Sequence, residues 1–305
     1  MVNTFLLRVP YLRRAKKDFL YRADQGSLQR IRKFLNRKKT EFQRLDWNLT
    51  PYALEKIIIE YDIAERDSDM SERLKDDSFI VLNSSGFFHH RTFYFVEALE
   101  EDVCYVQLDS HPDFWNIRKR LNGSGFVSEI SRLRNVKSTH LVGVTPNEAL
   151  VPEDKTEEEI RENIRDINII SSEPLEALLF PCDESEKERY EEVYRRAIKI
   201  YPQLTYKRNP TEFDPDSIPD LPVYLSVDLD VIRYFPTLWY GHGRWNSEKL
   251  CRTIWDIGTK RRIIGADICG LDNNFSRENN PTMKHFWFFY KILEYVMKNN
   301  TSQEK

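Results

Sequence analysis

No apolar run in the chain approaches the roughly 20 residues that cross a bilayer, which argues against a membrane-spanning helix. There is no CxxC pair: Cys104, Cys182, Cys251 and Cys269 are scattered, so no thiolate zinc cluster is written into the spacing. No G-x-G-x-x-G or phosphate-loop pattern occurs, which leaves a nucleotide cofactor unsupported. Internal repeats and long low-complexity tracts are absent too. The formal charge of −3 supplies no general pull toward nucleic acid.

What is present suits a folded protein. Of 305 residues, 40% are hydrophobic and 31% charged, enough for one large α/β domain or two small ones. The opening "MVNTFLLRVPYLRRAKK" reads as a strand or turn followed by a basic helix. It shows no small-residue cleavage site after an apolar core, so it does not read as a signal peptide. Cys104 and Cys269 sit in apolar runs, so we expect buried thiols in a reducing cytoplasm.

Residues 1–75 are expected to form a helical elaboration packed on a main domain spanning 76–305. In "TPYALEKIIIEYDIAERD" Thr50 is the cap and Pro51 the first-turn residue. The lysine- and arginine-rich face of this region reads as a solvated helix face before it reads as an RNA surface. From Ser78 short apolar runs alternate with amphipathic stretches. "FIVLNSSG", "VCYVQLD", "THLVGVTP", "IIS", "VYLSVDLDVI" and "RIIGADICGL" read as strands. "TFYFVEALE", "GFVSEISRLR", "EKERYEEVYRRAIKIY", "SEKLCRTIWDIG" and "MKHFWFFYKILEYVMK" read as helices. "EDKTEEEIRENIRD" reads as a solvated acidic helix, and the proline-rich stretch from Tyr201 to Pro222 as a loop. Such alternation implies a parallel sheet covered on both faces.

The chemistry gathers at strand ends. "CYVQLDSHPDFWN" closes an apolar run with Asp109, His111 and Asp113, and "VYLSVDLDVI" ends in Asp228 and Asp230. Residues two apart in an extended chain point the same way, so each pair can share a target. "GFFHHRTF", after an earlier strand, adds His89 and His90. Four bare carboxylates this close would repel and raise one another's pKa. A pair of divalent cations resolves the conflict. Oxygen and imidazole ligands suit Mn²⁺, with Fe²⁺, Co²⁺ and Zn²⁺ as alternatives. Two such ions lower the pKa of a shared water toward about 7. His140, at a strand start, and His285, in "HFWFFY", read as structural, and Phe286 to Tyr290 as core.

In order and spacing, His90, "LDSHPDFW" and "SVDLDV" resemble the arginase–agmatinase (ureohydrolase) superfamily. That resemblance implies a three-layer arginase/deacetylase-like α/β fold with a central parallel sheet flanked by helices. It implies that Asp109 and Asp228 bridge two metals, that His90 and Asp113 complete one ion, and that His111 and Asp230 complete the other. On this alignment His89 is a supporting or packing residue. It also implies a binuclear hydrolase of a linear C–N bond in an amidine, guanidine, ureide or amide, acting on a small molecule. Relatives of this kind form trimers or hexamers, so a homo-oligomer is expected on that ground alone.

The chain departs from the family around the substrate. Gly270 stands where the family's guanidine-binding glutamate belongs, with Asp267 and Asp272 flanking it, either lining the pocket or capping the next segment. Ser124 stands where many members have a proton-shuttling histidine. Arg91, Arg233 and Arg244 approach the same edge, which favours a neutral or acidic substrate, although Arg91 could instead pair with Glu97. Asp113 and His242 are candidates to protonate the leaving amine, and a solvent-facing loop is the plain reading of His242. Two alternatives stand: a mononuclear-zinc deacetylase-like amidohydrolase, for which the adjacent histidines of "FHHR" speak, and an inactive binding protein on the same scaffold.

Overall fold

The computed structural model describes residues 3–7, 78–83, 86–115, 125–147, 150–179, 187–205, 213–233, 235, 243–270 and 281–300. Seven strands form one sheet: β1 Asn3–Leu7, β2 Phe79–Asn83, β3 Val103–Leu108, β4 Val136–Val144, β5 Ile167–Ser171, β6 Val223–Asp228 and β7 Ile263–Cys269. The order across it is β1-β2-β7-β6-β3-β4-β5, and every neighbouring pair is parallel. Among the described residues six α-helices accompany them: α1 Thr92–Glu97, α2 Phe126–Ile130, α3 Glu157–Asn163, α4 Lys187–Ile200, α5 Ser247–Lys260 and α6 Pro281–Asn300.

Side-chain alternation along the strands divides the core into two layers. Cys104, Val106 and Leu108 of β3 join Leu225 and Val227 of β6 on one face, where Leu250 and Ile254 of α5 and Phe289 and Leu293 of α6 cover them. Tyr105 and Tyr224 point to the other face, toward Phe95 of α1, Phe126 of α2 and Val193 of α4. β3, β6 and β7 are buried along their whole length, as a parallel sheet between two helical layers requires. The expected three-layer α/β fold is therefore what the chain adopts.

The expected strands all form, and β1 adds an edge strand to the same sheet. The expected acidic helix forms as α3, closed at its start by a capping box between Thr156 and Glu159. One boundary differs in an instructive way. "VYLSVDLDVI" does not run extended throughout: β6 stops at Asp228 and Leu229–Val231 turn as a 3₁₀ helix. The cause is the Asp228 carboxylate, which accepts a hydrogen bond from Asp230 N at 2.9 Å and bends the chain as Asx-type turns do. The helical reading of residues 8–75 lies outside the described residues.

The topology also places the site. From β3 the chain proceeds to β4 and β5 on one side of the sheet, and from β6 to β7 on the other. Connections leaving two adjacent strands in opposite directions open a crevice at their carboxyl ends. Asp109 and Asp228 stand at that crevice.

Candidate metal centre

Three layers of side chains rise through the sheet toward the crevice. Parallel register sets Tyr105 beside Tyr224 and Gln107 beside Ser226. It also sets Tyr224, Ser226 and Asp228 beside Gly265, Asp267 and Cys269. The lowest layer is aromatic: Tyr105 and Tyr224 lie 6.1 Å apart. Gly265 is needed there, because a Cβ at that position would come within 2.7 Å of the Phe79 ring and 2.9 Å of the Tyr224 ring.

Above it lies a polar row of Gln107, Ser226 and Asp267, all fully buried. Burying such groups is costly unless each finds a partner, and they do. Tyr105 Oη donates to Gln107 Oε1 (2.6 Å), and Tyr224 Oη (3.0 Å) and Thr92 Oγ1 (3.0 Å) donate to Asp267. The row in turn holds the layer above. Gln107 Nε2 donates to Asp109 Oδ2 at 2.7 Å and reaches Asp113 Oδ2 at 3.4 Å.

The top layer is the cluster itself. Both strand ends close by the same device, an aspartate carboxylate accepting from the backbone amide two residues on. Asp109 Oδ1 accepts from His111 N (2.6 Å), matching the Asp228–Asp230 turn. The ends are also tied to each other, since Ser110 N and Oγ both donate to Asp230 Oδ1, at 3.1 and 2.8 Å. Asp113 holds a left-handed φ of 43°, which turns the chain so that its carboxylate faces back toward Asp109.

His89, not His90, enters this cluster. Its Nδ1 lies 3.2 Å from Asp109 Oδ2, 3.5 Å from Asp113 Oδ2 and 3.6 Å from Asp228 Oδ2. Its Nε2 meets Ser226 Oγ at 2.7 Å. Nδ1 faces three carboxylates from a buried position without a well-formed hydrogen bond to any of them. Burial opposes charge on this ring, but Cys269, Asp109 and Asp113 raise its pKa well above the usual histidine range. The "FHHR" segment is a 3₁₀ helix, Gly86–Arg91, in which neighbouring residues are turned by a third of a circle. Only one of the two histidines can face the crevice, and His90 is the partly exposed one.

Three groups of side chains bring ligand atoms within 4.8 Å of one another: His89, Asp109 and Asp113; Asp109, His111 and Asp230; and His89, Asp228 and Cys269. Asp109 faces the first group with Oδ2 and the second with Oδ1. The third brings in a thiol that the sequence spacing did not suggest.

Electrostatics point the same way. Burial, then Asp230 and Asp109, push the Asp228 carboxyl well above its usual range. Burial and Asp109 push Asp113 up to about 6. Burial opposes charge on both Asp109 and His111, but their partners prevail. The neighbouring His111 and His89 imidazoles hold Asp109 well below the carboxylate range. Asp230, 2.6 Å from His111 Nδ1, and Asp109 push that imidazole up to about 12. Left to itself the cluster gathers protons. Positive charge is what it lacks, and divalent ions supply it through the same atoms.

Comparison with solved structures agrees with this architecture. Formimidoylglutamase from Bacillus subtilis aligns over 97% of this chain and 87% of its own, with a TM-score of 0.53 and 13% identity. The agmatine ureohydrolase of Thermoplasma volcanium aligns over 100% and 92%, with 0.52 and 14%. This chain has the arginase-like fold. Trypanosoma cruzi formiminoglutamase with Mn²⁺ shares it at a TM-score of 0.50 and 12% identity, over 97% and 93% of the two chains. No family model and no curated protein matches at the level of sequence.

On the arginase-like fold the remaining expected residues disperse. Asp267, expected to bind substrate, is fully buried in β7 with its carboxylate accepting from Tyr224 and Thr92, so it supports the site from beneath and lines no opening. Arg91 is the last residue of the 3₁₀ helix after β2, and Arg233 follows the turn that ends β6. Arg244 Nε pairs with Glu173 Oε2 at 3.1 Å, which offsets part of the positive charge expected at the mouth. Ser124, His242 and Asp272 lie outside the described residues. Gln107, Ser226 and Cys269 were missed, although each falls within two residues of a strand end. His140 is buried in β4, and burial lowers it to about 4, in keeping with a neutral structural histidine.

Proposed function

We propose that this chain is a metal-dependent hydrolase of linear C–N bonds, with two divalent ions held between the ends of β3 and β6. The observation that supports this most is the division of Asp109, whose two oxygens face two separate ligand groups. His89, Asp109, Asp113 and Asp228 would hold one ion, and Asp109, His111, Asp228 and Asp230 the other. The ions, when bound, supply an acidified water and electrophilic stabilisation of the tetrahedral species. Mn²⁺ fits the oxygen and imidazole donors of the His111 side, and a Mn²⁺-bound structure shares the fold. Free, buried thiols at Cys104, Cys251 and Cys269 fit a reducing cytoplasm.

The chain's own residues do the rest. Ser226 and Gln107 orient His89 and Asp109. Asp113, whose side chain is 13% exposed where Asp109 is 1% and Asp228 6%, holds the proton for the leaving amine, with His242 as the second candidate. Arg91 and Arg233, which follow β2 and β6, favour a carboxylate-bearing or neutral amidine or amide over a guanidinium, and Ser124 and Asp272 are further candidates for substrate contacts. The reason is steric as well as electrostatic. Gly270 has a φ of +85°, and a Cβ there would come within 2.5 Å of Asp228 Oδ1. No carboxylate side chain fits where a guanidine-binding glutamate would stand. No helix among the described residues is long and apolar enough to cross a membrane, which suits a small-molecule enzyme.

The test is metal analysis of protein purified without chelator, beside Asp109→Ala and Asp230→Ala, followed by turnover of amidines, ureides and acylated amines. About two ions per chain is the expected result, with both lost in Asp109→Ala and the ion of the His111 side lost in Asp230→Ala. A single ion per chain in the unmutated protein would favour a mononuclear deacetylase-like centre. No ion after loading with Mn²⁺, Fe²⁺, Co²⁺ or Zn²⁺ would leave a binding protein on the arginase-like scaffold. Turnover of cationic guanidines alone would overturn the substrate class.

A further inference from the structure

The two halves of the cluster differ in one atom type. The group around His111 is completed by carboxylate oxygens, from Asp109 and Asp230. Around His89 the group with Asp228 includes the Sγ of Cys269. Register explains why: Cys269 is the last residue of β7 and pairs with Asp228, the last of β6. Its thiol donates to Asp228 Oδ2 at 3.1 Å, and the same oxygen lies 3.6 Å from His89 Nδ1. A lone thiol in an apolar strand would carry no weight. Here a second observation points to the same space, because His89, 1% exposed, turns its Nδ1 toward this oxygen and those of Asp109 and Asp113 without a well-formed hydrogen bond to any of them.

Building on the metal centre set out above, we propose that Cys269 is a metal ligand, and that it makes the His89 side selective for a borderline-soft divalent ion, Zn²⁺, Co²⁺ or Fe²⁺, while the His111 side keeps a preference for a hard one. Thiolate donors favour such ions over Mn²⁺ or Mg²⁺, whereas carboxylate and imidazole alone discriminate less. Coordination breaks the Sγ–H bond, forms an Sγ–metal bond and passes one proton to solvent, with no change of oxidation state. Asp228 Oδ2 would then be relieved of the thiol's hydrogen bond. The result is a centre with two unlike positions.

Co²⁺ is the probe, since a cobalt–thiolate bond gives a near-ultraviolet charge-transfer band that oxygen and imidazole donors do not. Metal-free protein titrated with Co²⁺ is expected to develop that band for one of about two bound ions. Cys269→Ser should lose it while still binding cobalt, and Cys251→Ser should keep it. Should Cys269→Ser fail to fold, the triple variant Cys104→Ser/Cys182→Ser/Cys251→Ser leaves Cys269 as the sole thiol, and its band must persist. Cobalt bound with visible bands but no charge-transfer band would overturn the ligand role, leaving the thiol as a hydrogen-bond donor to Asp228 and the metal centre intact. Failure to bind cobalt at all would overturn both.

Discussion

Replacing Asp228 by asparagine should stabilise the protein in chelator and destabilise it in metal. The change is close to isosteric, and asparagine keeps an oxygen for the Asp230 amide. Asp109 Oδ2 and Asp228 Oδ2 lie 3.2 and 3.6 Å from the same His89 nitrogen, so they are at most about 7 Å apart. At an effective dielectric of about 20, two unit charges at that distance repel by about 2 kcal/mol, a cost the metal-free chain meets either as repulsion or as the proton that the raised Asp228 carboxyl takes up. Unfolding entropy for a chain of this length is about 0.6 kcal/mol/K, so removing that repulsion should raise Tm in chelator by about 4 °C. With metal the sign reverses. Two ions present at a hundredfold excess over Kd stabilise the wild type by about 5 kcal/mol, or about 8 °C, and a variant lacking the shared ligand forfeits much of this. Thermal melts of both proteins, with chelator and with Mn²⁺ or Co²⁺, make the comparison. A variant less stable than wild type under both conditions would refute the repulsion argument, and equal metal-induced shifts would refute the ligand assignment.

Three further expectations rest on the same geometry. Metal-free protein should lose at least about 1.4 kcal/mol of stability per pH unit between pH 7 and 9, because folded His111, raised to about 12, keeps a proton that the unfolded chain releases above about 6.5. Its contribution is complete below the unfolded pKa and disappears as pH rises through the folded one. Metal-loaded protein should show the opposite trend, since binding needs deprotonated ligands, and parallel slopes in urea denaturation would contradict both. Ser226→Ala should weaken metal binding by roughly 10–100-fold with the fold retained, as loss of a histidine's orienting partner does, measurable by competition with a chromogenic chelator. Gly270→Ala should cost at least about 1 kcal/mol, since a left-handed φ penalises any Cβ and this one meets Asp228. An unchanged denaturation midpoint would show that the loop relaxes.

Much of the architecture was legible because strand–helix alternation and strand-end carboxylates follow from local pattern. The aspartates were found for a reason that proved incomplete. Extended geometry was expected to align Asp228 with Asp230, yet the chain turns at Asp228 and the two still converge, because the turn is made by the ligand itself. Choosing between His89 and His90 needed the phase of a 3₁₀ turn, which two identical neighbours do not encode. Asp267 read as a pocket residue because it lies near a strand end. One layer of register lower, it holds its neighbours instead. The polar row Gln107–Ser226–Asp267 left a usable trace: each is a polar residue inside an otherwise apolar strand, two positions before Asp109, Asp228 and Cys269. Cys269 itself was hidden because its role depends on which strand lies beside β6, a matter of long-range pairing.

That pairing constrains how the molecule is made. β7 is the last strand of the sheet in the chain, yet it lies between β2 and β6. Until it is synthesised, β2 and β6 each present an unpaired inner edge, and the two parts of the sheet have nothing to join them. Such edges are templates for association between chains, and long-range parallel pairing closes slowly. The nascent protein must therefore hold a split sheet apart until a central strand arrives, and a chain ending just before Ile263 should aggregate rather than fold into a smaller domain. Asp109 and His111 emerge early, but Cys269 comes with the strand that closes the gap, so ion capture at the His89 side can be completed only as the last seam of the fold is sealed.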